Sequence, residues 1–311
     1  MLNYWSLEPV TLQNAWVTIG SFDGVHLGHQ TLVKNLVSGA HAAGAPAVVL
    51  TFYPHPRQVL SNKLPAIYLT SPEQRNQVFR RLGIDVVVHH PFNIQVASQT
   101  ADEFVERLDR RLGLKHLWVG ADFALGRDRK GDVEHLRALG ETYGFVVHAI
   151  EPILLDSQVV SSSRIRAALE AGNLDHANRL LGRPYQLCGE VVPGDGRGRT
   201  IGVPTANLAV WSARALPAAG VYVCRAHLRG RTRGAVVNIG VRPTFEEQPV
   251  APRVEAHIFD LDEDLYGERL CLDFLARLRA EKRFTGIDTL VAQIQADMIA
   301  ARAYLAAPVS S

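Results

Sequence analysis

The sequence predicts an α/β fold in two parts: a doubly wound parallel sheet, then a β-barrel followed by a terminal helix. Three observations carry this prediction. The first half of the 311 residues alternates short β-rich runs with longer amphipathic stretches, the pattern of parallel strands joined by crossover helices. Beyond Leu181-Gly182-Arg183-Pro184 the strand-like runs follow one another, separated by Gly-, Pro- and Arg-rich turns, as in a meander or barrel. The length also suffices for two cores of ordinary size. We therefore divide the chain into residues 1–183 and 184–311.

The elements follow in order. Trp16 to Ile19, Ala47 to Phe52, Asp85 to His89, His116 to Val119 and Phe145 to Ile150 read as buried strands. Helices separate them. Ser71-Pro72-Glu73 places a capping serine before a proline suited to the first helical position, and Thr100-Ala101-Asp102-Glu103 is a capping box. In such a sheet, ligands sit beyond the carboxyl ends of the strands. In the second half Leu187 to Val192, Val221 to His227, Thr232 to Val237, Val254 to Phe259 and Arg269 to Leu275 read as strands. Ile287, Leu290, Val291, Ile294 and Met298 then recur at helical spacing and predict a helix packed on the barrel.

Composition narrows the function classes. Lys plus Arg (33) nearly balances Asp plus Glu (31), so the global basic field of non-specific nucleic-acid binding is missing. Any anion site is local. Cys188, Cys224 and Cys271 are odd in number, widely spaced and without a Cys-x-x-Cys pair. They read as buried thiols of a reducing cytoplasm rather than a disulfide framework or zinc ribbon. No apolar run reaches the ~18 residues of a membrane span, and the N-terminus lacks a basic segment leading into such a run. A soluble cytoplasmic protein is expected.

The most informative stretch is Gly20-Ser21-Phe22-Asp23-Gly24-Val25-His26-Leu27-Gly28-His29, which a strand enters and an amphipathic helix leaves. Its glycines allow a tight turn and close approach to an anion, and the first N–H groups of a helix carry partial positive charge. His26 and His29, three residues apart, can serve one ligand. Taken alone, the stretch fits a phosphate loop, half of a metal site or a structural turn. The wording resembles the first motif of the HxGH nucleotidyltransferases, and is most similar to the prokaryotic bifunctional riboflavin kinase/FAD synthetase family. The resemblance implies a Rossmann-like nucleotidyltransferase domain in which Gly20, Phe22, Asp23, Gly24, His26 and His29 bind ATP, with the two histidines catalytic.

Two further segments extend the first site. Gly120-Ala121-Asp122-Phe123-Ala124-Leu125-Gly126-Arg127 follows a strand and by itself reads as an exposed turn. It resembles the family's Gly-x-Asp-Phe-x-Phe-Gly loop, which implies contacts from Asp122, Phe123 and Arg127 to flavin and nucleotide. Leu125 stands where the family has a second aromatic, which removes ring stacking there. Val160-Ser161-Ser162-Ser163-Arg164-Ile165-Arg166 opens a helix and could be an ordinary serine cap on a basic helix. It resembles the family's Ile-Ser-Ser-Thr-x-x-Arg motif, which implies ATP binding by Ser161, Ser162, Arg164 and Arg166.

The second site begins at Gly194-Asp195-Gly196-Arg197-Gly198-Arg199 and continues through Pro204-Thr205-Ala206-Asn207. These residues alone fit a solvated hairpin connection followed by a capped turn. Together they resemble the riboflavin kinase motif, which implies ATP binding by Gly196, Arg197, Gly198, Arg199, Thr205 and Asn207, with Thr205 and Asn207 on Mg2+. Resemblance continues through Asn238 to Phe245 and Leu265 to Gly267, and through Val254-Glu255-Ala256-His257, where it makes Glu255 the base for the riboflavin 5′-hydroxyl. Arg279, Glu281 and Phe284 match an Arg-x-Glu-x-x-Phe segment. The expected enzyme uses ATP twice, phosphorylating riboflavin to FMN and adenylylating FMN to FAD. A monofunctional kinase, suggested by Leu125, and a flavin-binding sensor without turnover are the alternatives.

Overall fold

A computed structural model describes residues 1–61, 67–194, 202–240 and 253–307. The chain forms two compact units, Met1–Ser162 and Ser163–Ser311. The expected division at 183/184 therefore lies two helices beyond the compact-unit boundary. Those helices, α7 (Ser162–Glu170) and α8 (Leu174–Leu181), precede the barrel, and Asn178 of α8 explains the grouping. Its side chain donates to the Phe274 carbonyl at 2.9 Å and accepts from the Tyr185 N–H at 2.7 Å.

In the first unit, β1 (Leu2–Tyr4), β2 (Ala15–Ile19), β3 (Ala47–Tyr53), β4 (Val86–Pro91), β5 (Leu114–Gly120) and β6 (Val146–Ile150) form one parallel sheet in the order β1-β4-β3-β2-β5-β6. Strands β2 to β6 match the expected runs in place, but β6, expected as buried, is an edge strand with Val146 exposed and its other residues half-buried. The three-residue edge strand β1 is an addition, too short to show a period. Because β2, β3 and β4 step one way and β5 and β6 the other, the order reverses between β2 and β5, where such sheets bind ligands.

Helices cover both faces. On one, α1 (Leu27–Ala42) and α3 (Pro72–Arg81) bring Leu32, Val33, Leu36 and Phe79 against Val49 and Val87. On the other, α5 (Ala101–Leu112) and α6 (Val133–Tyr143) bring Phe104, Leu108, Leu136 and Leu139 against Val17, Leu50 and Leu117. Both predicted caps form: Ser71 and Thr100 each accept from the N3 amide, and Gln74 and Glu103 reach back to complete capping boxes.

In the second unit β9 (Tyr185–Val192), β10 (Ala206–Val210), β11 (Gly220–Leu228), β12 (Arg231–Gly240), β13 (Arg253–Ile258) and β14 (Arg269–Ala280) close a barrel in the order β10-β13-β12-β11-β14-β9. Strand β10 is an addition to the sequence reading, which had Pro204 to Asn207 as a turn. The terminal helix α9 (Ile287–Ala306) packs Met298, Ala301 and Leu305 near Val223 and Phe259. Ile287, expected on that packed face, is 68 % exposed, and the buried polar residue of the helix is Asp297.

The cysteine reading needs correction. Register places Cys188 directly opposite Cys271 on the antiparallel pair β9 and β14, and the two are disulfide-bonded. Only Cys224 is a buried thiol, and burial pushes its pKa well up. Residues 83 apart in sequence gave no pairing signal because cross-strand register is tertiary information.

Candidate active sites

The first site grows from the carboxyl end of β2. Phe22, Gly24 and Val25 have φ of 47°, 80° and 41°, left-handed values that cost a non-glycine residue about 1–2 kcal/mol each. External bonds hold this turn. The Asp23 carboxylate, 1 % exposed, accepts from the Leu69 N–H at 2.9 and 3.0 Å and from the Thr70 N–H at 3.1 Å. The Gly24 N–H donates to the Thr70 hydroxyl at 3.0 Å. Asp23 thus shapes the loop from inside.

His26 occupies the N-cap of α1 without a side-chain cap bond, and no acidic residue lies in the first turn. The positive end of the helix therefore stays uncompensated by its own side chains. The imidazoles of His26 and His29 stack with centroids 3.6 Å apart, and Phe22 meets His29 edge-on at 5.1 Å. The i, i+3 spacing thus brings both rings to the helix entrance. Ser162 Oγ, 139 residues away in sequence, donates to the Asp23 carbonyl at 2.8 Å and ties the serine segment to the glycine loop. Ser161 beside it is half-buried.

Helix α7 crosses the boundary between the compact units, so Arg164 and Arg166 belong to the second one. There Arg164 Nη2 donates to His176 Nε2 at 3.3 Å, and Arg166 is half-buried.

The Gly120–Arg127 loop leaves β5 at the other side of the switch point. Asp122 and Arg127 are exposed, and Phe123 is half-buried. Arg129 Nη2 donates to the Asp122 carbonyl at 3.0 Å, and the Arg127 N–H to the Gln99 carbonyl at 2.7 Å. Leu125 does not join this surface. It is buried in the core with Phe104 and Leu136, and its backbone forms a two-way bridge with Gly131. The missing aromatic is therefore a core-packing difference, and the ground for reading an impaired nucleotidyltransferase falls away.

The second site is a row across three adjacent barrel strands. Asn207 of β10 is the register partner of Glu255 of β13, which is also the partner of Asn238 of β12. All three are half-buried and alternate with buried Ala206, Leu208, Val254, Ala256, Val237 and Ile239, so they share the outward face. A Cβ built on Gly194 would come within 2.0 Å of Asn207 Nδ2, so this glycine lets the backbone lie against that amide. One on Gly240 would come within 2.5 Å of Glu281 Oε1 and 3.2 Å of Asn238 Nδ2, which brings Glu281 to the same corner. Thr205 is exposed just before β10. Gly196, Arg197, Gly198, Arg199 and the stretch from Arg242 to Phe245 lie outside the described residues.

Arg279 is engaged structurally. Its Nε donates to both carboxylate oxygens of Asp297 at 3.0 and 3.1 Å and its Nη2 to Oδ2 at 2.7 Å, with the guanidinium 5.9 Å from the Phe284 ring centroid. Sequence reasoning gave no role to Asn238, although an amide interrupting the apolar run Val236-Val237-Asn238-Ile239 is a usable signal. It also passed over Arg75, which the charged segment Glu73 to Arg81 disguises as a solvated residue.

The glycine loop with its stacked histidines lies at the switch point of the parallel sheet, and the barrel bears a carboxylate between two amides. The FAD synthetase family model matches residues 8–164, and the riboflavin kinase model matches residues 181–305. Among relatives, the chain is 41% identical over 292 residues to the bifunctional riboflavin kinase/FMN adenylyltransferase of Pseudomonas fluorescens, covering 94% of this chain and 93% of that one. It is 36% identical over 284 residues to the Bacillus subtilis protein of the same name, with 90% and 89% covered.

A solved structure described as a macrolide-efflux protein from Streptococcus pneumoniae matches with a TM-score of 0.88 and 33% identity, over 97% of this chain and 98% of that one. Among the described residues, no helix is long and apolar enough to cross a membrane. The chain belongs to the bifunctional riboflavin kinase/FMN adenylyltransferase family and carries both enzymatic domains.

Proposed function

We propose the following division of labour within the two activities. In the barrel, Glu255 accepts the proton of the riboflavin 5′-hydroxyl while the hydroxyl oxygen bonds the ATP γ-phosphorus and the bond to ADP breaks, giving FMN and ADP. The observation that carries this is the Asn207–Glu255–Asn238 row, a carboxylate flanked in register by two amides on one outward face. Thr205 and Asn207, with Gly196 to Arg199, take the nucleotide. The Thr205 hydroxyl and Asn207 amide oxygen, beside the Glu255 carboxylate, are the hard oxygen donors that Mg2+ prefers. Bound there, the ion would neutralise charge on the phosphates.

In the first unit, a phosphate oxygen of FMN attacks the ATP α-phosphorus in line, and pyrophosphate leaves. Gly20 to Gly24, His26, His29, Ser161 and Ser162 position the triphosphate and stabilise its spreading charge. Phe22 and Asp23 serve by shaping the loop, and Asp122, Phe123 and Arg127 face the flavin nucleotide. This division runs with residues 1–183 as the adenylyltransferase and 184–311 as the kinase. Because ATP serves both steps, we place the enzyme in the cytoplasm, an address against which the Cys188–Cys271 bond stands in tension.

The test uses the full chain with Mg-ATP and either riboflavin or FMN, products being separated chromatographically. His29→Ala should slow conversion of FMN to FAD by about 10²–10³, as for other oriented transition-state donors, so that FMN accumulates from riboflavin. Glu255→Gln should slow FMN formation by roughly 10²–10⁴ while supplied FMN still becomes FAD. A folded variant keeping the wild-type rate of its own step refutes that assignment.

A further inference from the structure

Arg75 lies in α3 and is 0 % exposed. Its Nη1 donates to the Ser21 carbonyl at 2.6 Å and to the Thr51 hydroxyl at 3.4 Å, and that hydroxyl donates to the same carbonyl at 3.1 Å. Its Nε and Nη2 have no hydrogen-bond partner among the described residues. Burial pulls the guanidinium pKa down, and Asp23 is the first of the charges that oppose this. A buried ion costs several kcal/mol unless its bonds compensate, yet the one short bond of Arg75 goes to the phosphate loop.

That loop needs support, since Phe22 and Val25 adopt left-handed φ. The segment Leu69 to Arg75 supplies much of it: Leu69 and Thr70 on the Asp23 carboxylate, Thr70 on Gly24, and Arg75 on Ser21. We infer that Arg75 is a positioning residue of adenylyl transfer: it fixes the Ser21–Phe22 peptide, and through it the Gly20–Gly24 loop, in the shape that receives the ATP phosphates. The inference rests on the reading of that loop as the adenylyl-transfer ATP site. The guanidinium has no surface exposure and works through the backbone.

The test compares Arg75→Met, Arg75→Lys and Thr51→Val in the full chain, with kcat and KM measured per folded molecule. Displacing a positioning element by about 1 Å costs on the order of 10²-fold, so Arg75→Met should lower kcat/KM for ATP in FAD formation by roughly 10–100-fold. The KM for FMN and the rate of riboflavin phosphorylation should stay within about twofold. Arg75→Lys, which keeps one cationic donor for the carbonyl, should restore most of the loss.

An Arg75→Met enzyme that melts earlier but keeps wild-type kcat/KM for ATP overturns the inference and leaves a core ion only. If Arg75→Met does not fold, Thr51→Val decides, because the Thr51 hydroxyl shares the Ser21 carbonyl with Arg75: a several-fold loss confined to kcat/KM for ATP supports the inference, and a wild-type value overturns it. His29→Ala run in parallel separates the failures. Normal FAD formation by that variant sinks the ATP-site reading itself, whereas its slowing beside an unaffected Arg75→Met sinks this inference alone.

Discussion

Asp23→Asn tests whether Asp23 shapes the Gly20–Gly24 loop from inside. The carboxylate is buried and accepts from two consecutive backbone amides, with Leu69 N–H shared between both oxygens. In asparagine one of those oxygens becomes an NH2 group facing a donor, and the remaining bonds lose their ionic component, about half their strength. Arg75 also loses a negative charge that supports its buried guanidinium. Leaving buried polar groups without these bonds costs about 1–3 kcal/mol, and at about 2–4 °C per kcal/mol for a domain of this size the first unit should melt roughly 2–12 °C earlier.

Scanning calorimetry of the full chain, with rates from riboflavin and from FMN, checks this. FAD formation per folded molecule should fall as the loop loses its support from inside, while riboflavin phosphorylation persists. A melting temperature within 2 °C of wild type, on the order of measurement error for ΔΔG below 1 kcal/mol, refutes the reasoning. So does a folded Asp23→Asn enzyme with wild-type kcat/KM for ATP, since a loop that Asp23 shapes should receive the ATP phosphates less well without it.

Two more predictions follow from the same unit. His89 and His90 are 1% and 3% exposed, and burial, aided by Arg75 and Arg107 respectively, lowers each pKa to about 4. Between pH 6.5 and 4 the unfolded chain binds protons that the folded one refuses. Stability is thus fully present above pH 6.5 and is lost as pH falls, on the order of 2 kcal/mol per histidine by pH 5. Equal urea midpoints at pH 7 and pH 5 would contradict this. Leu125→Ala should cost about 2–5 kcal/mol by emptying a core position, with the KM for FMN nearly unchanged; a selective rise in that KM at intact stability would instead place Leu125 at the flavin.

Local chemistry made much of this protein legible in its sequence. Strands β2 to β4 announced themselves as apolar runs buried on both faces, β5 and β6 as shorter apolar runs only partly buried, and the caps of α3 and α5 by side chains that bond their own first turn. Each signal depends on neighbours within a few residues. The barrel was legible as a texture of strands and turns, but β10 was not, because Pro204 to Asn207 reads as a turn until β9 and β13 supply its partners.

Tertiary structure decided what depends on distant partners. Register put Asn207 and Asn238 on either side of Glu255, and Cys188 against Cys271. Packing turned Leu125 into the core and buried Arg75 within a helix rich in charge. Folding also gave Asp23 its amides from Leu69 and Thr70, and gave Ser162 the Asp23 carbonyl. Sequence determined which chemical groups were present and the period of each element. Which groups face one another is fixed only when the strands pair and the helices close over the sheet, since that is when buried polar atoms must find partners.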